Sequence, residues 1–338
     1  MNRKAKTKAV LAALGVVLLV AALALGLHYI DSRPESGDQH QDSSADAECL
    51  YIGDNEYEIT HNLEAYLMIG SDDSGNEDRK KNEEYHGGMA DFIMLVVLDK
   101  TDNTYGFLPI DRDTITNVPK ISSEGEEADD AIEQICTARW YGKDPEQGCQ
   151  NTVDCVSDLL GGLEIDGYYS INMHDIGTLN DAVGGVTVNI EDDFTSEDPE
   201  MRPGSTIRLN DKQAELFVRG RMEIGDGTNE SRMKRQEEFM KGFKEVAAAK
   251  MKEDPDFVNE LYKELQEKAV TDIPGNRVSA MANRMYKGRS LGIFRIKGEH
   301  KEGTTLDDGL VHMEFRPSEE SIAEEMTQLC SLKDNGKI

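Results

Sequence analysis

Phe92-Ile-Met-Leu-Val-Val-Leu98 is an unbroken apolar run without helical spacing, and it is short for a helix. It reads as a buried strand, bounded by Asp91 on one side and Asp99 on the other. Upstream, Ala65-Tyr-Leu-Met-Ile-Gly70 has the same character, and downstream Thr104 to Ile110 supplies a third strand. Further along, helical spacing covers Ala128 to Tyr141 and Thr152 to Leu160, the latter stopped by Gly161-Gly162. Tyr168 to Asn172 and Val186 to Ile190 read as strands, with a helix between them that ends near Gly184-Gly185. Helices are expected over Asp211 to Val218, Ser231 to Lys252, Phe257 to Lys268, Val278 to Tyr286 and Ser318 to Leu329. Leu291 to Lys297 and Leu310 to Phe315 return to strand. Interleaved strands and helices predict an α/β fold, a three-layer α/β/α sandwich with a mixed central sheet.

Before this domain, Arg3, Lys4, Lys6 and Lys8 form a basic flank, and Ala9 to Leu27 carries no charge. At about 1.5 Å per residue, such a run is long enough to cross a bilayer as one helix. A cleaved signal peptide is the competing reading, but the apolar run exceeds the usual h-region. The expectation is a cytoplasmic tail over 1–8, one transmembrane helix over 9–30 and an extracytoplasmic remainder. Residues 31–60 read as a solvated linker, 61–250 as the main domain and 251–338 as a C-terminal α/β extension.

The formal net charge is -29, which excludes nucleic acid as a partner and argues against electrostatic adhesion to anionic lipid. An anchor must therefore hold the domain at the membrane. The five cysteines all follow the anchor and match no zinc spacing, so one or two disulfides are expected, with the pairing open.

Against this acidity, Arg219, Arg221, Arg232 and Arg235 lie close together in sequence. Guanidinium presents a planar fork of donors that matches phosphate oxygens. On a helix Arg232, Arg235 and Gln236 project to one side, while Arg219 and Arg221 share a face only in extended chain. Pairing with surface carboxylates is the competing reading. A second group is acidic: Asp72 follows the first strand and Asp91 precedes the second. Were those strands neighbours, a hard divalent cation would relieve the repulsion between the carboxylates. Asp111-Arg112-Asp113 ends the third strand at the same edge.

Together and in order, these features resemble the LytR-CpsA-Psr family of cell-envelope phosphotransferases. The resemblance runs through Leu67-Met-Ile-Gly-Ser-Asp72, Ala90-Asp91-Phe-Ile-Met-Leu-Val96, Leu108-Pro-Ile-Asp-Arg-Asp113 and Ala182-Val-Gly-Gly-Val-Thr-Val188. It continues through Leu209-Asn-Asp-Lys-Gln-Ala214, Phe217-Val-Arg-Gly-Arg221, Asp226 and Arg232-Met-Lys-Arg-Gln236. The family commonly places an arginine soon after the first aspartate; here Asp73-Ser74-Gly75 follows, and Arg79 is the nearest arginine.

The resemblance implies a membrane enzyme that takes a glycopolymer, such as teichoic acid or capsular polysaccharide, from a polyprenyl pyrophosphate carrier. It would attach the polymer to peptidoglycan through a phosphodiester, with Mg²⁺ or Mn²⁺ as cofactor. Carried over by position, Asp72 and Asp91 would be the metal ligands, and Arg112, Arg219, Arg221 and Arg232 would hold the pyrophosphate. Asp113, Arg235 and Gln236 would join the substrate site, and Asp226 would orient an arginine or assist the acceptor hydroxyl. Two other readings use the same residues: a polyprenyl pyrophosphate hydrolase, and a non-catalytic polyprenyl phosphate-binding regulator of envelope synthesis.

Overall fold

The computed structural model describes residues 48–72, 87–122, 125–126, 130–220, 224–254, 257, 262, 269–306 and 308–337. The expected anchor over 9–30, the loop over 73–86 with Arg79, most of the helix expected over 257–268, and Arg221 lie outside them. Among the described residues no helix is long and apolar enough to cross a membrane.

The described residues begin with a hairpin, β1 (Cys49–Ile52) and β2 (Asn55–Ile59), paired antiparallel. This corrects the expected linker, because Leu50, Ile52 and Tyr57 are buried. Their apolar positions are few and interrupted by Asp and Glu, so the local sequence reads as solvated. Then β3 (Leu63–Asp72), β4 (Met89–Asp99) and β5 (Thr104–Pro109) run as consecutive antiparallel neighbours. A separate ribbon joins β6 (Ile115–Val118) to β7 (Ala131–Gln134) and leads into a 3₁₀ segment, Ile135–Trp140. The helix expected over 128–141 is thus replaced by strand and 3₁₀ turn. Pairing with β6 supplies hydrogen bonds that override the helical spacing.

Helix α1 (Pro145–Leu159) starts where the Asp144 side chain accepts from the Gln147 amide and Pro145 occupies the first turn. β8 (Gly167–Asn172) returns parallel to β3, and a short turn over Met173–Asp175 enters α2 (Ile176–Val183). Gly184 ends α2 with φ 84°, a conformation that favours glycine. After the β9 (Thr187–Asn189) and β10 (Thr206–Arg208) pair come α3 (Asp211–Arg219), opened by an Asn210–Gln213 capping box, and α4 (Asn229–Glu253). The chain closes with β11 (Val270–Thr271), α5 (Gly275–Lys287), β12 (Arg289–Ile293), the hairpin β13 (Gly298–Gly303) and β14 (His312–Pro317), α6 (Glu319–Cys330) and β15 (Leu332–Lys337).

The main sheet has six strands in the order β11-β8-β3-β4-β5-β12, with β3/β8 and β5/β12 parallel and the other pairs antiparallel. It is a mixed sheet. Alternation along β3 and β4 sends Tyr66, Met68, Met94 and Val96 into one core, shared with α2, α3, α4 and α5. Leu67, Ile69, Leu95 and Val97 enter the other core, against α1 and α6. Residues after 250 are woven into this body: β12 extends the sheet, β15 pairs with β2, and α5 and α6 each enter a core.

None of the five cysteines forms a disulfide, contrary to the expectation of one or two. Cys136, Cys149, Cys155 and Cys330 are buried and pack as small groups, Cys149, Cys155 and Cys330 in the core against α1 and α6 and Cys136 against Arg112.

Candidate functional site

One edge of the main sheet gathers the expected residues. The C-terminal ends of β3, β5 and β8 and the start of β4 all emerge there. Strands β3 and β4 are neighbours, as the metal hypothesis requires. Their register shifts at this edge: Gly70 faces Phe92 and Ser71 faces Ala90, so Asp91 sits on a bulge. The approach is close, since a Cβ on Gly70 would collide with the Met173 sulfur.

Around Asp91 the site is buried. Arg112 Nη1 donates to Asp91 Oδ1 at 2.5 Å, and Arg232 Nη1 lies 3.7 Å from Asp91 Oδ2. Arg232 Nη2 also donates to the Asp91 carbonyl at 3.4 Å and to Asn229 Oδ1 at 2.5 Å. Arg112 Nη2 contacts the sulfurs of Met89 and Cys136, each at 3.1 Å, and its Nε faces Asp113 at 3.7 Å. Burial would lower the Arg112 pKa, but Cys136, Asp91 and Asp113 outweigh it and raise it, so the guanidinium stays charged. Behind this group Asp111 accepts from Asn229 Nδ2 at 2.6 Å and pairs with His300 Nε2 at 2.9 Å.

Around Asp72 the site is more open. Arg219 Nη2 lies 3.1 Å from Asp72 Oδ1, and its Nη1 donates to Glu215 Oε1 at 2.6 Å, one helical turn back on α3. His174 lies between these acids, with Nε2 3.4 Å from Asp72 and Nδ1 2.8 Å from Glu215.

Of the other residues proposed from sequence, Arg235 and Asp226 face elsewhere, while Asp113 and Gln236 border the buried group. Arg235 pairs with Asp192 and donates to the carbonyls of Phe217 and Gly220, tying α4 to the end of α3. Burial lowers its pKa and Asp192 opposes that shift. Gln236 Nε2 donates to the Val218 carbonyl at 3.4 Å, but its side chain also borders a narrow cavity with Asp91 and Arg112. Asp226 accepts from the Thr228 hydroxyl and amide; these bonds lower its pKa and make it a weak base. Asp113 is buried and accepts from Gln134 Nε2 at 3.1 Å.

Four participants escape sequence reasoning: His174, Glu215, Asn229 and His300. His174 had a signal, since it follows strand β8 by two residues and that strand ends level with β3. Asn229 and Glu215 had weaker ones, one turn before Arg232 and Arg219 on their helices. His300 comes from a hairpin remote in sequence and had none.

Asp72 and Asp91 are hard oxygen donors on adjacent strand ends, a set that fits Mg²⁺ and leaves places for water or phosphate oxygens. Each already faces a guanidinium.

The sequence is 27% identical over 253 residues to biofilm regulatory protein A of Streptococcus mutans, covering 72% of this chain and 58% of that one. It is 30% identical over 176 residues to the polyisoprenyl-teichoic acid–peptidoglycan teichoic acid transferase TagU of Bacillus anthracis, covering 52% and 50%. The chain spans about half the length of the relatives it matches. Among solved structures, gbs0355 of Streptococcus agalactiae superposes with TM-score 0.61 at 20% identity, covering 82% of this chain and 91% of that one. B. subtilis TagV gives 0.59 at 18%, covering 80% and 97%, which is likeness of fold. The LytR_cpsA_psr family model matches residues 29–329, nearly the whole described body, and the chain belongs to that family.

Proposed function

We propose that this protein is a phosphotransferase that moves a glycopolymer from a polyprenyl pyrophosphate carrier to peptidoglycan, leaving a phosphodiester link. The observation that carries this is the meeting of two acid–arginine groups, Asp91–Arg112–Arg232 and Asp72–Arg219, at one sheet edge. Relatives named as teichoic acid–peptidoglycan transferases support the same reading. The apolar run over 9–27 would hold the domain at the outer face of a membrane, where both substrates are found.

In the reaction the acceptor hydroxyl oxygen attacks the phosphorus that bears the glycan. The bond from that phosphorus to the bridging oxygen breaks, polyprenyl phosphate leaves with the electron pair, and the hydroxyl proton passes through solvent to the leaving phosphate. Negative charge grows on the bridging and terminal oxygens. Arg112, Arg219 and Arg232 are fixed in advance to receive it, which favours the transition state over the bound donor. Mg²⁺, held by Asp72 and Asp91, would neutralise pyrophosphate charge. Arg221, two residues after Arg219 in sequence, is a further candidate ligand for the pyrophosphate.

Transfer of a lipid-linked glycan to peptidoglycan by Arg219→Ala and by Asp91→Asn tests this. Each is expected to fall about a hundredfold to a thousandfold. Near-normal transfer by both would contradict it, and a free phosphorylated glycan in place of the phosphodiester would indicate a hydrolase.

A further inference from the structure

Helix α4 separates two clefts. One, about 550 Å³, lies between α4, β9 and the β5–β12 edge and is lined by Phe107, Phe217, Met240 and Ile293. The other, about 570 Å³, lies between the first turns of α4 and the C-terminal hairpin. The narrow cavity that holds Asp91 and Arg112 shares Pro109, Ile110, Met233 and Glu237 with the second cleft, but only Glu237 with the first. The second cleft therefore borders the buried half of the site along more of its wall than the first does.

Its walls describe a ligand. Glu237 Oε1 is buried with no hydrogen-bond partner among the described residues, while Oε2 pairs with Arg295. Glu237 borders all three cavities, and a buried carboxylate oxygen without a donor is unfavourable, so a small turn of this side chain toward a ligand hydroxyl in the second cleft would satisfy it. Burial raises the Glu237 pKa, and Arg295 opposes the shift. Across the cleft the His300 ring lies tilted against Phe315 with ring centroids 4.5 Å apart, held by its bond to Asp111. A half-exposed ring beside an acceptor oxygen matches a sugar, which offers an apolar face and hydroxyl donors together. A prenyl chain would offer Glu237 no donor.

We propose that the cleft between α4 and the β13–β14 hairpin is the acceptor subsite, which takes an amino-sugar stretch and hydrogen-bonds one hydroxyl to the Glu237 carboxylate. This gives the C-terminal segment a role, and it rests on the transferase reading for the identity of the acceptor.

Calorimetric titration of the full chain with a soluble peptidoglycan tetrasaccharide, and separately with farnesyl pyrophosphate and Mg²⁺, tests it. Two variants are compared: Glu237→Ala removes the acceptor oxygen, and Lys297→Trp fills the cleft from its exposed rim. Thermal melting checks the fold of each. The tetrasaccharide is expected to bind each variant about tenfold more weakly or worse, with farnesyl pyrophosphate affinity held within about twofold. Unchanged tetrasaccharide affinity in both variants, absence of tetrasaccharide binding to the wild type, or loss of farnesyl pyrophosphate alone in Lys297→Trp would overturn the proposal. Failure of the wild type to bind farnesyl pyrophosphate would instead contradict the transferase reading, and the tetrasaccharide titration would still decide the cleft.

Discussion

Asp91 and Asp72 meet arginines at the same sheet edge, yet in different surroundings. Asp91 and Arg112 are 14% and 12% exposed, and Arg232 is almost wholly buried. Asp72 and Arg219 are 32% and 22% exposed, and their partners His174 and Glu215 also reach solvent. In the buried half each charge depends on its partner, because a lone ion there would lose hydration without compensation. In the open half water can replace a missing partner. The buried arginines are thus part of the fold as well as the site, whereas Arg219 can be changed with little effect on folding. Substitutions in the two halves separate stability from chemistry.

The largest effect is expected at Arg112. Arg112→Ala removes the nearest guanidinium from buried Asp91 and Asp113 and should lower stability by about 3–5 kcal/mol in urea denaturation, together with loss of transfer. A drop under about 1 kcal/mol would erase the distinction between the halves. Next comes Arg235, buried but spent on Asp192 and the end of α3. Arg235→Ala should lower stability by about 3 kcal/mol without a matching loss of prenyl pyrophosphate affinity, since its donors face away from both aspartates. Arg219→Ala should change stability by no more than about 1 kcal/mol while transfer falls about a hundredfold or more, which thermal melting and a transfer assay together would read.

The smallest effect concerns pH. The hydrogen bond to Asp111 raises the His300 pKa above its ordinary value, against a smaller opposing effect of burial. A raised folded-state pKa means His300 contributes stability fully below about pH 6.5, and that contribution fades as pH rises through the higher folded value. His300→Gln should flatten stability against pH across that window, measured by denaturant unfolding at several pH values. An unchanged slope would mean that His300 and Asp111 are not coupled.

Much of the body was legible because its strands are continuous and apolar. Phe92 to Leu98 and Ala65 to Gly70 sit at the centre of the sheet, where burial on both faces writes itself into sequence. The edge elements were not legible. β1 and β2 gain their partner β15 from the far end of the chain, and β7 is set by pairing with β6, so neither carries a sufficient local pattern. The site followed the same rule. Asp72, Asp91, Arg112, Arg219 and Arg232 stand at strand or helix ends that spacing can locate. Arg235 shares a helix face with Arg232 by count alone, and only packing reveals that its fork closes on α3. His300 reaches Asp111 through tertiary structure, for which no local signal exists.

The central claim is that both halves of the site close on one pyrophosphate. A crystal structure of the protein soaked with farnesyl pyrophosphate and Mn²⁺, with the metal located by anomalous scattering, tests it most directly. The account predicts Mn²⁺ bound by Asp72 and Asp91, with pyrophosphate oxygens contacted by Arg112 and Arg232 from the buried half and by Arg219 from the open half. Pyrophosphate bound away from this edge, or both aspartates still paired only to arginine with no metal between them, would contradict it.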